Sequence, residues 1–98
     1  MRIEILSDAQ SDLISGARFY ERQGAGLGEY FLNSLYSDID SLLVYAGIHR
    51  IGFGLHRALS KRFPYAIFYR FDREKDLIQV YRVLDLRRDP FWIRQRLE

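Results

Sequence analysis

The sequence predicts an α+β domain in the order β-α-α-β-β-β: a helical hairpin packed on a small antiparallel sheet, with a short helix at the carboxy-terminus. Three observations predict it. The opening residues alternate apolar and polar. Two amphipathic stretches follow, joined by a glycine-rich turn. Three strand-like runs then fill most of the second half, separated by short polar segments.

Arg2 to Leu6 reads as the first strand, with Ile3 and Ile5 on one face and Arg2 and Glu4 on the other. Ser7 is then expected as a helix N-cap. Gln10, three residues on, completes a capping-box pattern, and Asp8 favours the positive helix end. This helix runs to about Arg22, with Ala9, Leu13, Ala17 and Tyr20 spaced to face a core. Gly16 weakens its interior but allows close packing. Gly24 to Gly28 carries three glycines. No strand leads into it and no Gly-Lys-Ser/Thr ending follows, so it reads as a helix–helix connection and not as a phosphate loop.

The second helix is expected from about Glu29 to Tyr45. Phe31, Leu35, Ile39, Leu42 and Ala46 form its apolar stripe, broadened by Leu32, Tyr36 and Leu43, with Asp38 and Asp40 off the stripe. Gly47 is its expected C-cap. Residues 48–54 read as a loop. Leu55 to Arg62, Tyr65 to Phe71 and Leu77 to Leu86 read as three strands of an antiparallel meander. In the middle one, Tyr65, Ile67, Tyr69 and Phe71 share one face, with Ala66, Phe68 and Arg70 on the other. Pro64 falls between strands, and Asp72 to Asp76 forms a charged hairpin turn. The two helices give a crossover long enough for the first strand to pair parallel to one of the last three. From Arg87 on, a short helix is expected with Asp89 as N-cap and Pro90 at its first position.

At 98 residues the chain fits one domain, spanning 1–98, and its 48% apolar content predicts a packed core. It has no cysteine, which excludes disulfides and thiolate metal sites. No apolar run approaches the ~18 residues of a membrane span, so a cytoplasmic protein without a membrane partner is expected. The charge is uneven. Residues 1–48 hold three basic and seven acidic side chains, and residues 49–98 hold twelve basic and six acidic. A basic half offers a footprint for nucleic acid or a docking surface for an acidic partner.

Arg57, Lys61, Arg62, Arg70, Arg82, Arg87 and Arg88, with Tyr65, Tyr69 and Trp92 among them, are the candidate functional residues of that half. Arginine suits phosphate, and aromatic rings suit exposed bases. Acid–base RNA cleavage needs a group to activate the 2′-OH, a cation for the transition-state charge and a proton donor for the leaving oxygen. His49 and His56 lie too far apart, without a carboxylate or cysteine at ligand spacing, to form a metal site, and no metal or other cofactor is expected. Asp85, the one carboxylate inside the final strand, is placed to pair with a neighbouring arginine.

Arg62-Phe-Pro-Tyr-Ala-Ile-Phe-Tyr-Arg70, followed by Tyr81-Arg-Val-Leu-Asp-Leu-Arg-Arg-Asp-Pro90, resembles the RelE/ParE superfamily of type II toxins. The Gly24–Gly28 turn between two amphipathic helices is similar to the ParE-like branch. The resemblance covers nearly the whole chain and implies a toxin silenced by a cognate antitoxin, in a toxin–antitoxin hetero-oligomer. In the ParE-like branch the target is DNA gyrase and the toxin is not an enzyme. In the RelE-like branch the toxin cleaves mRNA on the ribosome. A third possibility is a binding module of the same fold without toxicity. The nuclease pattern places an arginine where this chain has Ala66, a histidine where it has Asp85, and a tyrosine near Trp92. These departures favour the ParE-like reading. Arg62, Arg70, Arg82, Arg87 and Arg88 are then the residues expected to bind target or antitoxin, and no catalytic residue is assigned.

Overall fold

The structure is a computed structural model and describes residues 1–98. Its elements are β1 (Arg2–Ile5), α1 (Ser7–Gln23), α2 (Leu27–Asp40), α3 (Leu42–Tyr45), β2 (Ile51–Gly52), β3 (Leu55–Leu59), β4 (Tyr65–Asp72), β5 (Leu77–Asp85) and α4 (Pro90–Leu97). They form one five-stranded sheet in the order β1-β5-β4-β3-β2. β1 pairs parallel to β5, which the α1–α2 crossover permits, and every other pairing is antiparallel. The expected α+β architecture and its short terminal helix are present.

The helical hairpin covers one face of the sheet. Leu13 of α1 and Phe31, Leu35 and Ile39 of α2 pack on Ile67, Tyr69, Ile78, Val80 and Val83. Gly16 lets α1 approach this core, because a Cβ there would lie 2.5 Å from the Phe31 ring. Gly26, at φ 87°, makes the turn between the helices in a conformation other residues resist. The Glu21 carboxylate accepts hydrogen bonds from the Gly26 and Gly28 N–H groups, satisfying free donors at the start of α2. The Gly28 and then the Gly26 bond hold the Glu21 carboxyl below its ordinary range.

The sheet is buried on both sides along β4. Ala66 and Phe68 face away from the hairpin, where they join Leu55 and Leu84 beneath Trp92, Ile93 and Leu97. α4 makes this second cover. Asp89 caps it by accepting from the Phe91 N–H at 2.8 Å, and Pro90 opens it, as expected. Between Phe68 and Tyr69 the β4–β5 register slips by one residue, so Tyr81 has no partner opposite. Such a bulge re-aims the side chains beside it.

Local departures from the sequence reading have local causes. Ser7 is the first helical residue and not the cap. The N–H of Leu6 still donates to Val80 of β5, so the chain passes straight from sheet to helix, and Gln10 reaches back to the Ile5 carbonyl. The second helix breaks at Ser41, whose hydroxyl donates to the Asp38 carbonyl at 2.6 Å, leaving α3 as a single turn. Asp38 is buried, not off the core face. Its carboxylate accepts from the Ser60 hydroxyl and the Lys61 N–H, which fixes the β3–β4 turn and ends β3 at Leu59 instead of Arg62. Tyr36 and Leu43 are exposed and do not widen the core stripe. Residues 48–54 are not all loop: Ile51 and Gly52 form β2, and Phe53 and Gly54 turn the chain with positive φ.

Candidate functional site

The second face of the sheet is incompletely covered, because α4 is only eight residues long. Beside it lies a groove of about 390 Å³ between β2, β3, β4 and α4. Phe53, Phe68, Leu86, Ile93 and Leu97 make it apolar, and Arg50, Arg57, Arg88 and Arg94 stand around it. No carboxylate lines it, and none of these four arginines forms an ion pair. An apolar groove rimmed by unpaired guanidinium groups is the complement of an amphipathic segment with acidic edges.

The arginines expected from the sequence divide by what holds them. Arg82 forms a two-pronged pair with Asp12 of α1, with both contacts at 2.8 Å, and Asp12 also accepts from the Val83 N–H at 3.0 Å. The Asp12 hydrogen bond raises the Arg82 guanidinium above its ordinary range. Arg87 pairs with Asp85 at 2.9 Å and donates to the Tyr20 hydroxyl. Burial alone would raise the Asp85 carboxyl. The side-chain and backbone bonds from Arg87, with the charges of Arg87 and Arg88, outweigh it and hold the group below its usual range. Arg88 lies over the Trp92 ring at 4.2 Å from the centroid, and Arg96 over the same ring at 3.7 Å. Arg70 stacks on Tyr81 at 5.0 Å, and Arg62 stands exposed in the β3–β4 turn.

The fold brings Arg62, Arg82, Arg87 and Arg88 towards the same end of the sheet, where Tyr65 pairs with Asp85 and the Leu86 N–H donates to Pro64. Arg70 is not among them. It pairs with Gln79, five residues along β4 from Tyr65, or roughly 16 Å at strand spacing. Arg50 and Arg94 at the groove and Arg96 over Trp92 escaped the sequence reading. Only Arg96 left a sequence signal, four residues after Trp92 and so on the same face of α4.

The three positions that bear on nuclease chemistry are now placed. Ala66 is fully buried beneath α4. Asp85 is engaged by Arg87, and Trp92 carries two guanidinium groups. The two histidines lie elsewhere, around Tyr69. The Gly47 N–H donates to the Tyr69 oxygen at 3.0 Å, and the Tyr69 hydroxyl meets His49 Nδ1. His56 stacks on the Tyr69 ring and donates from Nδ1 to the His49 carbonyl. Burial, then the neighbouring His56, lowers the His49 pKa.

Comparisons with known proteins fit this geometry. The family described as "ParE toxin of type II toxin-antitoxin system, parDE" matches residues 3–90. A solved structure described as "Chromosomal ParDE TA system from P. aeruginosa" is similar to this chain at a TM-score of 0.71 and 16% identity. The match covers 88% of this chain and 96% of the other, and at that identity it speaks for the fold. A search of curated proteins finds no match. With a family match over most of its length, on a sheet and helical hairpin of the same fold, the chain belongs to the ParE toxin family of type II toxin–antitoxin systems.

Proposed function

We propose that the protein is a toxin that inhibits DNA gyrase in the cytoplasm and is silenced by a cognate antitoxin seated in the arginine-rimmed groove. The observation that carries the choice of inhibitor over mRNA endonuclease is the set Ala66, Asp85 and Trp92. A nuclease reading needs a cation, a general base and a general acid on this face. Here the first position is a sealed methyl group and the second is a carboxylate held ionised by arginine. The third is an indole, which has no acid function near neutral pH. The groove supports the antitoxin reading, because unpaired arginines around an apolar floor gain most from an acidic amphipathic strand or helix.

Expression in bacterial cells tests the reading. Plasmid recovered from arrested cells is expected to have lost negative supercoiling, while primer extension finds translated mRNA intact. Codon-linked cuts in mRNA with unchanged plasmid topology would overturn it. Harmless expression with neither effect would point instead to a binding module that has lost toxicity.

A further inference from the structure

A second cleft, of about 480 Å³, opens between α1, the Tyr65–Asp85 end of the sheet and α4. Its lining includes two carboxylates, Asp12 and Asp85, and both are taken, by Arg82 and Arg87 respectively. Three more guanidinium groups face the same space, from Arg22, Arg88 and Arg96, and none forms an ion pair. Stacking on Trp92 fixes the planes of Arg88 and Arg96 and leaves N–H edges free, although Arg96 spends one on the Trp92 carbonyl.

An independent observation marks the same place. Tyr65 is 6% exposed and lines this cleft, and its hydroxyl hydrogen-bonds no other group of the chain. Burial first, then the Asp85 and Tyr20 charges, push its phenol up to about 12, so it stays protonated and can donate. The ring is buried but its oxygen is open to the cleft, because no buried side-chain polar atom of the chain lacks a partner, so the hydroxyl is free to donate to a ligand.

We propose that this cleft binds a phosphate-bearing ligand of about mononucleotide size, held by Arg22, Arg88, Arg96 and the Tyr65 hydroxyl. With Asp12 neutralised by Arg82 and Asp85 by Arg87, the three unpaired guanidinium groups leave a surplus of three positive charges, enough to balance a phosphate monoester near neutral pH. A carboxylate has two oxygens for three guanidinium groups and a phenol, whereas a phosphate monoester offers three acceptor oxygens. The cleft volume falls within the usual range for a small-molecule site. The ligand is either a free nucleotide or the terminal phosphate of a nucleic acid, and the two share this chemistry. The proposal stands apart from the gyrase reading and does not depend on it.

Trp92 is the only tryptophan and sits between two of the binding arginines, so its fluorescence reports occupancy. The full-length protein is titrated at fixed ionic strength with uridine 5′-monophosphate, uridine, a 5′-phosphorylated tetranucleotide and tetraglutamate. A saturable change is expected with the phosphate ligands and none with uridine. Tighter binding of the tetranucleotide assigns the site to nucleic acid, and equal binding assigns it to free nucleotide. Tyr65→Phe and Arg22→Gln are each expected to weaken binding about ten-fold, with urea midpoints unchanged. The Tyr65 hydroxyl has no internal bond to lose, and Arg22 has no internal ion pair. Absence of saturation by either phosphate ligand overturns the proposal. So does saturation by tetraglutamate alone, or wild-type affinity in both variants.

Discussion

Asp12 shows how one side chain completes a sheet. β1 pairs only with residues 77–80 of β5, so the strand beyond has no neighbour on that side. Asp12 fills the gap by taking the Val83 N–H and the Arg82 guanidinium. The pair is mostly buried, with side-chain exposures of 18% and 13%. Asp12→Ala would leave a mostly buried cation and a backbone donor unsatisfied, and is expected to cost roughly 2–4 kcal/mol in urea unfolding. His49 sets a second expectation. Its folded pKa lies below the ordinary 6.5, so the unfolded chain takes up the proton first. The stability contributed by neutral His49 is therefore complete above about pH 6.5 and is lost as pH falls through the lower folded value. His49→Gln is expected to flatten that part of a pH–stability curve; an unchanged slope would mean that another group sets it. The charges themselves were legible in the sequence. The pairing of Asp85 with a neighbouring arginine was legible too; the Asp12–Arg82 pair was not, because the two meet only through the packing of α1 on β5.

At the level of elements, periodicity carried the reading well where one face is buried and one is wet. α1 follows from it, whereas β4 is buried on both faces along Tyr65 to Tyr69 and the start of α4 was legible from the capping chemistry of Asp89 and Pro90. It failed where a side chain competes with the backbone. The break at Ser41 depends on a hydroxyl reaching a carbonyl, and the burial of Asp38 depends on a turn more than twenty residues away. Neither contact leaves a periodic trace. β2, only two residues long, is too short for alternation to register. Two substitutions test the element contacts. Gly16→Ala should gain helix propensity of up to about 1 kcal/mol, but its Cβ would meet a Phe31 ring locked in the core. Net destabilisation of roughly 1–2 kcal/mol is expected from the urea midpoint. Asp89→Ala removes the α4 cap and should cost about 1 kcal/mol, with the loss seen first as faster amide exchange in residues 91–97.

Across the whole molecule, the charge asymmetry of the sequence becomes two arginine sets that share Arg88. One rims the apolar groove and the other lines the cleft by Trp92. Family membership was legible from the Arg62–Arg70 and Tyr81–Pro90 segments, and the structure adds where their arginines stand. Arg50→Glu with Arg94→Glu is expected to weaken antitoxin binding at least ten-fold by titration calorimetry without loss of fold, since neither residue has an internal ion pair. Arg87→Ala with Arg88→Ala should reduce growth inhibition while the fold persists; undiminished inhibition would remove both from the target surface. The most direct measurement of the central claim is plasmid supercoiling by purified gyrase with increasing amounts of antitoxin-free protein. The account predicts dose-dependent loss of supercoiling, restored when the cognate antitoxin is added. Full supercoiling at every dose, by protein that still arrests growth, would contradict it.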